Sequence, residues 1–179
     1  MMKNKNMLLA GALLLIGCNT LIDAAASSKK LLDAVNYAPL DVVRELIAAK
    51  ANKEATDEWG YTPLTIAGNY GRLDVMRELL AAKANIETVD DFGNTPLICA
   101  ALNGNLDVVR ELINSGANIS AKTKKGQTPL DIANQKKHAD IVRVLRDARE
   151  EELEPALGYL VNGPLSVPPL CDITTDYLF

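Results

Sequence analysis

Nucleophilic and acid–base chemistry has few residues to draw on in this 179-residue chain. There is one histidine, His138, and there are three cysteines, Cys18, Cys99 and Cys171. A Ser–His or Cys–His pair would have to use His138, because the base must reach the nucleophile's proton across one hydrogen bond. A structural metal site needs ligands at set spacing, and the chain has no Cys-x-x-Cys and no second histidine. No Gly-rich phosphate loop follows a strand-like run. The adjacent carboxylates Asp90 and Asp91 fall in a turn segment, where solvated charge is the expected state. No catalytic residue, no metal site and no cofactor is therefore expected.

The same residues make sense as parts of a scaffold. Hydrophobic residues are 48% and charged residues 23%, a globular composition. The net charge of −4 and a pI near 5.1 exclude a strongly basic nucleic-acid binder. Residues 29–150 hold 17 Lys/Arg and 17 Asp/Glu, so the body is neutral. Residues 151–179 hold five acids and no base, and they carry the acidic excess. A neutral body gives no long-range steering onto DNA or anionic lipid.

The first residues read as an address. Lys3 and Lys5 precede an uncharged run over residues 7–17. A helix needs about 20 residues to cross a bilayer core, so this run does not span one. It fits the apolar region of a secretory signal peptide; a buried N-terminal helix is the plainer alternative. Leu15-Ile16-Gly17-Cys18 resembles the bacterial lipobox, in which the cysteine is lipidated and becomes the new N-terminus. Ala24-Ala25-Ala26 fits ordinary signal-peptidase cleavage instead. Both readings place the protein outside the cytoplasm, either as an envelope lipoprotein facing the periplasm or as a secreted protein. If Cys18 is lipidated, about ten residues lead to Ser28, a tether of at most ~35 Å. Any membrane contact would then run through that anchor.

The rest of the chain is periodic. Gly60, Gly93 and Gly126 are 33 apart, and so are the Thr-Pro-Leu triplets beginning at Thr62, Thr95 and Thr128. Ala67, Ala100 and Ala133, Asp74, Asp107 and Asp140, and Leu79, Leu112 and Leu145 keep the same period. Leu31, Ala34, Asp41 and Leu46 extend it backwards. Such self-similarity marks a repeat architecture. The pattern Gly-x-Thr-Pro-Leu-x-x-Ala, then an Asp-Val-Val-Arg-Glu-Leu-type helix, then Ala-Asn, resembles the ankyrin repeat. The resemblance covers roughly residues 29–150 and implies an all-α solenoid of about four helix-turn-helix repeats joined by β-hairpin loops. Residues 1–26 are the signal peptide. Residues 27–150 form the repeat domain, divided near 27–56, 57–89, 90–122 and 123–150. Residues 151–179 form a proline-containing tail.

The repeated residues have physical roles. Each Thr can cap its helix N-terminus, and the following Pro lacks an N–H that would go unused there anyway. The preceding Gly suits positive φ. Leu64, Leu97 and Leu130 should enter the core, and Ala67, Ala100 and Ala133 should allow close helix approach. Arg44, Arg77, Arg110 and Arg143 should recur on a solvated outer face. Cys99 aligns with Ile66 and Ile132 and reads as a buried hydrophobe, which argues against pairing with Cys171. His138 occupies the slot after the inter-helix turn, a structural position. The family usually has His after Thr-Pro-Leu, bonding between repeats; Thr65, Ile98 and Asp131 stand there, which puts that network in doubt. Lys137 replaces the Gly71 and Gly104 of the other turns, so a less regular turn is expected. The polar residues over 134–149 read as a terminal cap. The last helix should end before Pro155, since Pro and Gly interrupt a regular helix. Beyond it, Leu157, Tyr159, Leu160, Val161, Leu165, Val167 and Leu170 are too apolar for a plain linker: the tail packs back onto the last repeat, binds a partner as an extended segment or is the remnant of a longer protein, and packing or partial order is the expectation.

The resemblance implies a non-enzymatic interaction scaffold, a monomer, whose protein or peptide partner docks on hairpin tips and the concave face. The positions that vary for binding give Glu58, Trp59, Tyr61, Asn69 and Tyr70, then Asp91, Phe92, Asn94, Leu102 and Asn103, then Lys124, Lys125, Gln127, Gln135 and Lys136. Aromatics there match interface hot spots; local packing between hairpins is the alternative. Lys124, Lys125 and Lys136 would face an acidic partner end, or simply solvate the cap. An inhibitor or immunity-type protein that blocks an enzyme is the rival function.

Overall fold

A computed structural model describes residues 24–162 of the chain, with side chains described over 27–151. Cys18 and its motif, Cys171 and the segment 163–179 lie outside the described residues.

Eight helices follow in order among the described residues. They are α1 Ala24–Tyr37, α2 Leu40–Ala48, α3 Pro63–Tyr70, α4 Leu73–Ala81, α5 Pro96–Asn103, α6 Leu106–Asn114, α7 Pro129–Lys136 and α8 Ala139–Asn162. No strand occurs among them, so the hairpin loops are tight turns without a ladder. The helices pair as α1–α2, α3–α4, α5–α6 and α7–α8, one pair per 33-residue period. First helices stack on first helices, α1 on α3 on α5 on α7, and second helices stack likewise. The result is an all-α, two-layer repeat stack. Its first helix begins at Ala24, inside the stretch assigned to the signal peptide.

The Thr-Pro pairs start helices as expected. Thr62, Thr95 and Thr128 are extended, and each Oγ1 accepts from the N–H three residues on. At α7 the cap is reciprocal: Asp131 Oδ2 accepts from the Thr128 N–H at 2.9 Å and its hydroxyl at 2.7 Å. The first helices α3 and α5 end on a left-handed residue, Gly71 at φ 71° and Gly104 at φ 77°. Lys137 adopts the same conformation at φ 63°. The expected irregularity of that turn is therefore corrected. His138 N–H bonds Ala133 O just as Arg72 bonds Ala67 O and Asn105 bonds Ala100 O. The bonded turn holds the geometry, and the lysine bears the left-handed backbone.

The core runs between the layers. Leu64, Val75, Met76, Leu79, Leu97, Val108, Val109 and Leu112 are buried, and Ala67, Ala100 and Ala133 are fully so. Close approach explains the small residues. A Cβ on Gly68 would lie 2.7 Å from Pro96 O. Leu130 is only half buried, since no fifth repeat follows α7 among the described residues.

The last helix differs from expectation. It runs through Pro155 to Asn162 instead of ending before Pro155. A proline inside a helix removes one ladder bond and crowds a carbonyl, at a cost of about 3 kcal/mol, but it does not force an end.

The doubt about inter-repeat hydrogen bonds is also removed. The donors come from a different slot. Arg72 Nη1 bonds Val35 O at 3.2 Å and Ala38 O at 3.1 Å. Asn105 Nδ2 bonds Gly68 O at 2.9 Å and Asn69 O at 3.0 Å. His138 Nε2 lies 3.3 Å from Leu102 O, a bond that requires the Nε2–H tautomer. Positions 72, 105 and 138 thus satisfy carbonyls that a helix end leaves open. Glu54 and Glu87 accept from the N–H of Asn85 and Asn118 one repeat on. Arg44 pairs with Glu78 and Arg77 with Glu111 along the exposed face of the second helices.

Candidate protein-interaction face

Three fingers project between the helix pairs, and each is built by the same local bonds. Asp57 Oδ1 accepts from the N–H of Trp59 and of Tyr61, both at 2.9 Å. Asp90 Oδ1 accepts from the N–H of Phe92 and of Asn94, both at 2.8 Å, and Asp90 Oδ2 takes Asn94 Nδ2 at 2.7 Å. Thr123 Oγ1 accepts from Lys125 and Gln127 at 3.2 Å. Gly60, Gly93 and Gly126 then turn the chain at φ 77–78°. Asp90 is buried, which corrects the expectation of two solvated carboxylates at this tip; only Asp91 is exposed. Asp57, Asp90 and Thr123 were missed as builders. Their signal was the shared spacing to glycine, an Asx- or ST-turn signature.

The fingers are stitched to one another. Trp59 O accepts from Asp91 N–H and Phe92 O from Lys124 N–H, each at 3.0 Å. The nesting is close: a Cβ on Gly93 would lie 2.8 Å from Lys124 N. Side chains one period apart therefore line up in columns. One column is Glu58, Asp91 and Lys124, all exposed. The next is Trp59, Phe92 and Lys125, with Trp59 57% and Phe92 58% exposed. On the first helices the column is Tyr37, Tyr70, Asn103 and Lys136, with Tyr37 84% and Tyr70 58% exposed. The face thus grades from aromatic and acidic to basic along the stack. None of the ion pairs among the described residues involves Lys124, Lys125 or Lys136.

Other candidates are engaged internally. Tyr61 is half buried against the core, and its phenol is pushed up by burial, with nearby Asp90 adding to the shift. Asn94 is tied to Asp90. Asn103 Nδ2 bonds Asn69 Oδ1 at 2.6 Å and Cys99 O at 2.9 Å. Gln127 Nε2 bonds Gln135 Oε1 at 3.2 Å.

The ankyrin-repeat family model, described as three copies, matches residues 31–123 and 87–154. The chain belongs to the ankyrin repeat family. Among curated proteins none matches it. Ankyrin repeats generally mediate protein–protein interaction.

Two further features of this ankyrin stack bear on function. Burial pushes the Cys99 thiol up to about 12, which keeps it protonated at neutral pH and a poor nucleophile. At the amino-terminal end, Ala34, Tyr37, Val42 and Leu46 line an open groove. The counterparts of Ala34, Val42 and Leu46 one period on, Ala67, Val75 and Leu79, are covered by the first repeat, while Tyr70, the counterpart of Tyr37, stays exposed. Lys30 and Asp33 stand where Pro63 and Ile66 do, a polar loading of the end repeat.

Proposed function

We propose that this chain is a non-enzymatic binding module whose finger row and first-helix face take a protein or peptide partner. The observation that carries the reading is the column of exposed Trp59 and Phe92 on fingers fixed by backbone bonds. Rigid, solvated aromatics make strong anchors because little ordering is left to do on binding. The complementary partner has an apolar anchor over Trp59 and Phe92 and an acidic end over Lys124, Lys125 and Lys136. Trp59→Ala and Phe92→Ala should each weaken binding of a captured partner by about 2 kcal/mol, roughly thirty-fold. The urea midpoint should stay put, as expected for exposed substitutions. A falling midpoint would make the aromatics structural and remove the face. Activity loss in a co-purified enzyme would identify the inhibitor version of the same face.

Export is part of the proposal. Its support is the charged start, the apolar run over residues 7–17 and the motif ending in Cys18. Intact mass from fractionated cells decides it: a lipidated Cys18 in the membrane fraction, or a soluble species beginning at Ser27. A mature protein retaining Met1 would overturn export.

A further inference from the structure

We propose that residues 163–179 of this same chain occupy the basic end of the finger face in cis and compete with the external partner. The inference rests on reading that face as a recognition surface. Three observations lead to it.

The first is charge. Lys124 and Lys125 sit exposed on the fourth repeat's finger, and among the described residues neither is in an ion pair. The body is otherwise balanced. The segment beyond Asn162 brings Asp172 and Asp176 and no base.

The second is where the chain leaves the body. After the left-handed turn at Lys137, α8 runs back along α7 toward its capped start at Thr128. Ile141, Leu145 and Ala148 pack against the core, so the body of α8 lies alongside α7 as far as Ala148, toward the base of the fourth repeat's finger. Residues 150–162 continue the helix and carry the chain about 20 Å further.

The third is reach. Residues 163–171 can return up to about 30 Å at extended geometry, more than the outward run. Asp172 and Asp176 then come level with Lys124 and Lys125. Tyr177, the residue after Asp176, can then reach toward Phe92, whose finger is stitched to that of Lys124. An apolar residue next to acids is the chemistry that the face was argued to select.

A short tether supplies a millimolar effective concentration, so an in-trans Kd of about 0.1 mM keeps the face about nine-tenths covered. An external partner would then bind about ten-fold more weakly than to an uncovered face.

The test uses the full chain. Carbodiimide at low protein concentration joins ammonium and carboxylate groups that touch. Mass mapping of the monomer should show Lys124 or Lys125 joined to Asp172 or Asp176, and the link should fade at about 0.5 M salt. Links found only between molecules, or none, overturn cis occupancy. As a second readout, a synthetic peptide of residues 163–179 should bind the full-length Asp172→Lys/Asp176→Lys variant about ten-fold more tightly than the wild type. Equal affinity, or no binding to either, also overturns it. Should these arms fail while Trp59→Ala still weakens partner binding about thirty-fold, the tail is no ligand and the interaction face stands.

Discussion

Asp131 closes the capping box of α7, and its role is set by ionisation. Hydrogen bonds from the Thr128 N–H, and then from the Thr128 hydroxyl, hold its carboxyl below the usual carboxylate range. A carboxyl that is more acidic folded than unfolded contributes its full stability above the unfolded value of about 3.9. That contribution is lost as pH falls through the folded value. Asp131→Asn should therefore lower the urea midpoint at neutral pH, and the gap should close as pH falls from about 4 toward 2. A gap independent of pH would show that the carboxylate charge is not its source. Asp131 was visible in the sequence only as a departure from the family's histidine. Its pairing with Thr128 shows what that departure does. Asp90 was misjudged at the same scale, because a carboxylate in a turn can spend itself on backbone N–H groups and become buried.

Helix ends decide much at the next scale. Positions 50, 83 and 116 follow the second helices, and all three are left-handed: Lys50 at φ 60°, Lys83 at φ 61° and Gly116 at φ 83°. An L-residue there costs about 1–2 kcal/mol, partly offset by the greater freedom of unfolded glycine. Lys83→Gly should raise stability by about 0.5–1 kcal/mol in urea unfolding. Gly104 and Gly116 separate two constraints. A Cβ on Gly116 meets nothing within 4 Å, whereas one on Gly104 lies 2.9 Å from Cε1 of His138. Gly104→Ala should thus cost at least about 1 kcal/mol more than Gly116→Ala. Equal costs would mean that the ring yields freely. The start of each first helix was legible because Thr-Pro-Leu states cap and first turn in residue types. The donors at 72, 105 and 138 were not, since Arg, Asn and His share reach and donor chemistry but no pattern of type. Pro155 misled because its local penalty was read as a stop.

Across the described helices the main contacts of each repeat are with its immediate neighbours. Stability is then a chain of interfaces, and cutting a middle one should loosen the cooperation between halves. Asn105 joins the second and third repeats through two carbonyls. Asn105→Ala should lower the unfolding free energy by about 1–2 kcal/mol and make the urea transition shallower. A shifted midpoint with unchanged slope would mean that the other interface bonds suffice for cooperativity. The face was legible at this scale by counting in 33s, which puts Trp59, Phe92 and Lys125 in one column from the sequence alone. Counting could not tell that Tyr61 turns into the core, because exposure depends on the neighbouring repeat. The stitched fingers also have a genetic meaning. Trp59 O to Asp91 N and Phe92 O to Lys124 N is a bond that translates onto itself after one period. Duplication or loss of a whole 33-residue unit leaves every such bond with an equivalent partner. A one-residue insertion in a finger leaves none in register. Change of length in this gene is therefore tolerated in quanta, and the binding surface grows or shrinks by one column position each time.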